Sequence, residues 1–324
     1  FVNCTFQNGI SQDESGGISI VSTNSYVNIL FCEFNNCQTN NKGGALKCHQ
    51  SKHVMIDCCS FRNNSAINGC GGALFIQQDE DITIQNNIFE NNHATTKGGS
   101  IFLNFQEELG FENEKIYVDN CTFINSICDQ LGGAICSGNS FPSGESYNDG
   151  DLVIRNCKFI NCAANKGGGL YFQNGQPESE PFHHDEEKFV IGCYFENCNG
   201  IQSNSLGTCI YSLSYKLEIN TTVFKDNDDG ESFLYIKMDD DGISPILNQN
   251  IFDNSARSMY IECKSVLNIS NCVFENDYNF QLKSLFSLEN LKTEGTIIDN
   301  CTFQTSNHGI LAFSYQYDLH TIFH

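Results

Sequence analysis

Leu152-Val153-Ile154-Arg155-Asn156-Cys157-Lys158-Phe159 decides the fold. Leu152 and Ile154 point one way and Val153 the other, which is the two-residue period of a β-strand. Arg155 and Asn156 break that period and make a corner. Cys157 and Phe159 then face inward again, Lys158 faces out, and Asn161 opens the next corner. The pieces are too short for strand–helix–strand units, and none carries a helical period.

The pattern recurs along the chain. One Phe marks each unit: Phe6, Phe34, Phe61, Phe89, Phe123, Phe159, Phe195, Phe224, Phe252, Phe274 and Phe303. Five residues before it stands an aliphatic, from Ile29 and Ile56 through Ile154 to Ile298. Two residues before it stands Cys in eight units, and two after it stands Asn in nine. A Gly-Gly-small-aliphatic strand start follows, as in Gly43-Gly44-Ala45-Leu46 and Gly132-Gly133-Ala134-Ile135.

One such unit cannot bury its inner face, so units must stack, like on like. The expectation is an all-β, right-handed parallel β-helix of about eleven coils over residues 1–324, three short strands per coil, rising about 4.8 Å per coil. Gly-Gly serves the tightest corner, where φ is expected to be positive. Inward Asn is expected to satisfy turn backbone. Only four Pro in 324 residues suits uninterrupted ladders.

The G-G-A-[IL] box and the F-x-x-N motif (Phe61/Asn64, Phe89/Asn92, Phe224/Asn227) resemble the β-helix repeats typified by chlamydial polymorphic outer-membrane proteins, with comparable repeats in some protist surface proteins. The resemblance implies a surface scaffold or adhesin and supplies no catalytic residues. The box decays after Gly168, to Gly207-Thr208 and then to Ser232, Ser258 and Ser284. No barrel segment follows, so autotransport is not implied.

A formal charge of −22 disfavours nucleic acid and anionic lipid as partners. No run of about 18 apolar residues encodes a membrane span. Eighteen cysteines point to an oxidising, extracellular or cell-surface location. Cysteines at one register in consecutive coils fall within disulfide range: Cys4 with Cys32, Cys162 with Cys198, Cys272 with Cys301, and Cys157 with Cys193 in a run that includes Cys121. The other reading is a ladder of small buried hydrophobes.

Six N-x-S/T sequons fit the same location: Asn3, Asn63, Asn120, Asn220, Asn268 and Asn300. Asn3, Asn120 and Asn300 share a corner where an inward Asn is structural. Asn268, between inward Leu267 and Ile269, ranks first for a glycan, then Asn220 and Asn63.

Three successive units carry insertions at one corner: Asn104–Lys115, Ser137–Asp151 and Gln173–Lys188. Stacking sets them side by side as a binding face. His183-His184-Asp185-Glu186-Glu187 in the third is a solvated loop rather than a metal site. No cofactor is expected. Asp226, Asp228, Asp229 and Asp239, Asp240, Asp241 are weak calcium candidates, because their spacing fits no calcium loop. The residue before each Phe forms no acidic cluster, which argues against a polysaccharide lyase or glycoside hydrolase.

The chain opens already in register at Phe1-Val2-Asn3-Cys4 and still reads as strand at Ile310–Phe313. Uncovered edges favour continuation or end-to-end association. The expected function is a non-enzymatic extracellular scaffold, filament subunit or adhesin that binds itself, other surface proteins or glycans. A carbohydrate-active enzyme and a carbohydrate-binding module are the alternatives.

Overall fold

A computed structural model describes residues 1–21, 26–77, 81–104, 115–138, 151–173, 187–214, 216–227, 232–238, 245–253, 259–262, 267–275, 281–285, 296–304, 312–314 and 322–323. Among the described residues, forty short strands form four sheets in which neighbouring strands run parallel. The Phe sheet runs over eleven strands from Thr5–Gln7 to Thr302–Gln304. The aliphatic sheet runs over eleven from Tyr26–Leu30 to Ile322–Phe323, and the Gly sheet over eleven from Ile18–Val21 to Ala312–Ser314. Strand order in each is chain order, so every coil lies on the one before it: a parallel β-helix.

Register is residue on equivalent residue. Phe6 pairs Phe34, Phe123 pairs Phe159, and Phe274 pairs Phe303. From Phe6 to Phe274 consecutive rings stack with centroids 4.6–5.2 Å apart and planes within 17°. The strand spacing of about 4.8 Å sets that distance. Parallel rings at this separation contribute about 0.5–1.5 kcal/mol per pair beyond the area they bury. Beside them Ile29, Ile56, Ile84, Val118, Ile154, Val190, Ile219 and Leu247 form a second fully buried column.

Besides the Gly corner, two corners per coil turn through the left-handed region. One column is Asn8, Asn36, Asn63, Asn91, Asn125, Asn161 and Asn197, all with φ of 51–59°. The other holds Asn3, Asn86, Asn120, Asn156, Asn271 and Asn300, with Phe31 and Thr221 in the same conformation. Asn reaches this conformation at little cost because its amide bonds locally. At the Gly corner both glycines are required, for different reasons. Gly132 has φ of 67°. A Cβ on Gly133 would stand 2.0 Å from the Gly168 carbonyl oxygen of the next coil.

Three strands per coil is an undercount. Among the described residues a fourth sheet of seven short strands, from Ile10–Ser11 to Asn199–Gly200, lies between the Phe and Gly sheets. Its members, such as Ser65–Ala66, are mostly two residues long, too short to show a period. Ala66, Ala94, Cys128 and Ala164 fill its inner side.

Phe159→Ala should cost about 3–5 kcal/mol, because neighbouring coils hold the rings on both sides in place and the cavity cannot collapse. The chain has no Trp, so urea denaturation is followed by far-UV circular dichroism. A loss under about 1 kcal/mol would mean the ring is not buried in a packed column.

Candidate functional site

Inside the two left-handed corners stand two columns of capping side chains. Three residues after the Phe they are Cys37, Asn64, Asn92, Ser126, Cys162, Cys198 and Asn227. Two before it they are Cys32, Cys59, Asn87, Cys121, Cys157, Cys193, Thr222, Asn250 and Cys272. All are buried. Asn87 accepts the backbone N–H of Cys59 on Oδ1 at 2.7 Å and donates from Nδ2 to the Ile56 carbonyl at 2.8 Å. Asn64 and Asn250 do the same in their coils.

The cysteines do this work with sulfur. Cys157 Sγ accepts the Cys121 N–H at 3.4 Å and donates to the Val118 carbonyl at 3.5 Å. Cys59 accepts from Cys32 N–H at 3.3 Å and donates to the Ile29 carbonyl at 3.3 Å. Cys121, Cys193 and Cys272 reach the corresponding carbonyls of Ile84, Ile154 and Leu247. Cys and Asn alternate in one column because both satisfy corner backbone cut off from water.

All seventeen described cysteines are thiols, and Cys263 lies outside the described residues. The candidate pairs Cys4–Cys32, Cys157–Cys193, Cys162–Cys198 and Cys272–Cys301 stand at matching positions of neighbouring coils, as their spacing requires. An S–S bond would remove the S–H donors just described. Burial pushes the Cys59 thiol up to about 11 and Cys128 to about 12. Burial also raises Cys157, Cys162 and Cys198. In the Cys272–Cys301 pair a shared thiol hydrogen bond holds Cys272 up and draws Cys301 down. Thiols held protonated in an apolar interior are poor nucleophiles. Cys58 alone among the described cysteines is exposed.

The sequons fall into two environments. The expected inward turn of Asn3, Asn120 and Asn300 is corrected: all three are exposed, and the inward corner residue is the next one, Cys4, Cys121 or Cys301. Asn120 Nδ2 donates to Asn86 Oδ1 at 2.8 Å, Asn300 to Asn271 at 2.7 Å and Asn63 to Asn35 at 3.3 Å. These amides run along the axis, coil to coil. Asn220 Nδ2 donates within its coil to Glu218. Asn268 is half-buried on the outer side of the aliphatic sheet, and its Oδ1 has no hydrogen-bond partner.

Strands end at Asn104, Ser137 and Gln173 and resume at Lys115, Asp151 and Glu187. Leu103, Ser137 and Phe172 are register partners, as are Lys115 and Asp151, so the three insertions leave and re-enter one above another. Residues 105–114, 139–150 and 174–186, including His183, His184, Asp185 and Glu186, lie outside the described residues. Lys188 belongs to the strand: it is fully buried at an inward position, in register with Leu152 and Leu217.

Aromatic side chains flank this corner on both sheets. On the outside of the Gly sheet Phe75, Phe102, Cys136, Tyr171 and Tyr211 form an apolar cluster separate from the core, each at most 5 % exposed. Lys42, Lys97 and Lys166 place ammonium groups 4.8–5.3 Å from ring centroids of Phe75, Phe102 and Tyr211. On the aliphatic sheet Tyr117, Val153 and Phe189 form a half-buried outer stripe on the coils that carry the insertions.

Asp226 occupies a left-handed corner, with φ of 52°. The remaining calcium candidates, Asp228, Asp229, Asp239, Asp240 and Asp241, lie outside the described residues. No group of three or more metal-ligating side chains occurs among the described residues. Ion pairs link register partners: Arg62 with Glu90 at 3.0 Å, Arg155 with Asp119 at 2.9 Å, and Lys216 with Glu187. Being partly open to solvent, each is worth about 0–1 kcal/mol.

Residues 88–104 match the model of the Chlamydia polymorphic membrane protein (Chlamydia_PMP) repeat. The match covers one passage from Phe89 of the ring column through the Asn92 cap to the Gly98-Gly99 corner and its strand. No curated protein and no solved structure matches the chain.

Cys157→Thr should keep the corner bonded and hold stability within about 1 kcal/mol. Cys157→Val has the same shape without the donor, and should cost about 1–3 kcal/mol by urea denaturation. Equal stability of the two would remove the capping role. Pulse alkylation of the native chain, read by peptide mass spectrometry, should label Cys58 first and the inward column only on unfolding.

Proposed function

We propose that this chain is the rod of a cell-surface protein, structural and adhesive rather than catalytic, exposed to the exterior. The single observation that carries this reading is the match of one coil to the repeat of a membrane protein family. An acidic exterior with 39 Asp and Glu against 17 Lys and Arg suits a solvated surface. The stacked insertion corner is the binding face, where three consecutive coils present loops to another surface protein or a glycan. End-to-end association into a filament uses the same parallel ladder that joins the coils.

Glycans, where present, belong first at Asn268. At Asn63, Asn120 and Asn300 the nitrogen that would carry a sugar donates along the axis to the neighbouring coil. In an oxidising exterior the ladder thiols are the material for crosslinks between coils, at the expense of their S–H donors.

One observation favours a carbohydrate-active enzyme as a second reading. On the outside of the Phe sheet Asp253 and Glu275 are register partners in adjacent coils. Two carboxylates one strand spacing apart approach the separation, about 5 Å, of a retaining glycosidase.

Antibody against the native rod should label intact, unpermeabilised source cells, and a variant lacking 105–114, 139–150 and 174–186 should fold but lose adhesion. Labelling only after permeabilisation would overturn the surface reading. Turnover of a polysaccharide that is abolished by both Asp253→Asn and Glu275→Gln would replace it with the second.

A further inference from the structure

Four tyrosines stand one above another on the outside of the Gly sheet. Tyr171, Tyr211, Tyr235 and Tyr260 are register partners in four consecutive coils. Their rings stack face to face, with centroids 5.2, 4.5 and 4.6 Å apart and planes within 8°. The column has defined limits: its register neighbours are Cys136 below and Lys283 above. Tyr171 and Tyr211 are nearly buried, and Tyr235 and Tyr260 are half-exposed.

We propose that this column is a site of oxidative ring coupling, in which neighbouring coils become joined by dityrosine bonds under hydrogen peroxide and a haem peroxidase. Each of two phenols gives up one electron and one proton to the peroxidase. The two phenoxyl radicals join through ring carbons ortho to oxygen, forming one C–C bond. The hydrogens on those carbons return to the oxygens, restoring two phenols. Two electrons and two protons in all reduce one peroxide to two waters.

The structure favours this chemistry in two ways. Ring-on-ring registry sets equivalent ortho carbons of neighbours opposite each other before oxidation, so coupling needs no diffusive encounter. The half-exposed Tyr235 and Tyr260 are open to an oxidant, while Tyr171 and Tyr211 further along the stack are shielded from water, which directs a radical to the next ring. The proposal stands apart from the surface reading and needs only the rod.

The purified chain is treated with a haem peroxidase and substoichiometric hydrogen peroxide. Dityrosine fluorescence should appear, with a monomer whose mass has fallen by two hydrogen atoms per link. Digestion should give peptides joining Tyr211 to Tyr235 or Tyr235 to Tyr260. Tyr235→Phe, which keeps the stack, should lose those two links and keep Tyr171 to Tyr211, with an unchanged circular dichroism spectrum. Coupling confined to covalent dimers, coupling through the exposed Tyr26, or a Tyr235→Phe chain with the same intramolecular yield would each overturn the proposal.

Discussion

Everything in this molecule depends on parallel pairing held in one register over many coils. A single residue of slip would turn the buried Phe outward and carry the corner Asn out of its left-handed position. Register is fixed redundantly. The Phe rings stack at 4.6–5.2 Å, the aliphatic column fills the space beside them, and the glycines admit the next coil's carbonyl only at their own positions. These contacts join neighbours alone, so stability accumulates coil by coil rather than around one centre.

Corners are the weak points of such a stack, because backbone groups there leave the ladder while remaining buried. The chain answers with side chains that both accept and donate. Asn does so with its amide, Thr222 with its hydroxyl and cysteine with its thiol. This gives the high cysteine count a physical reason that does not require oxidation. It also accounts for the concentration of Cys at two register positions rather than at loop tips.

The fold was legible because its signals repeat: Phe159 and Ile154 mean little alone and much when equivalents recur through the chain. The corner carrying the insertions was legible too, since its longer spacings fall in consecutive units. The fourth sheet was not, because two-residue strands such as Ser65–Ala66 have no period. The F-x-x-N motif marked Asn64, Asn92 and Asn227, but that Cys37, Ser126, Cys162 and Cys198 cap the same corner in other coils went unread. Lys188 was read as the end of the third insertion, while its register with Leu152 and Leu217 puts it inside the strand. The outer aromatic spine was visible as an aromatic after the strand-opening aliphatic, as in Leu74-Phe75, Leu170-Tyr171 and Ile210-Tyr211. Reading only one outward column of the Phe sheet passed over Asp253 and Glu275.

In-register stacking predicts that energetic coupling stops at the adjacent coil, and a double-mutant cycle measures this directly. Phe159→Leu and Phe195→Leu, with the double variant, should show a coupling of about 0.5–1.5 kcal/mol by urea denaturation. Phe123→Leu with Phe195→Leu, two coils apart, should be additive within about 0.5 kcal/mol. Additivity for the neighbouring pair, or coupling of equal size for the distant one, would contradict the stacked column.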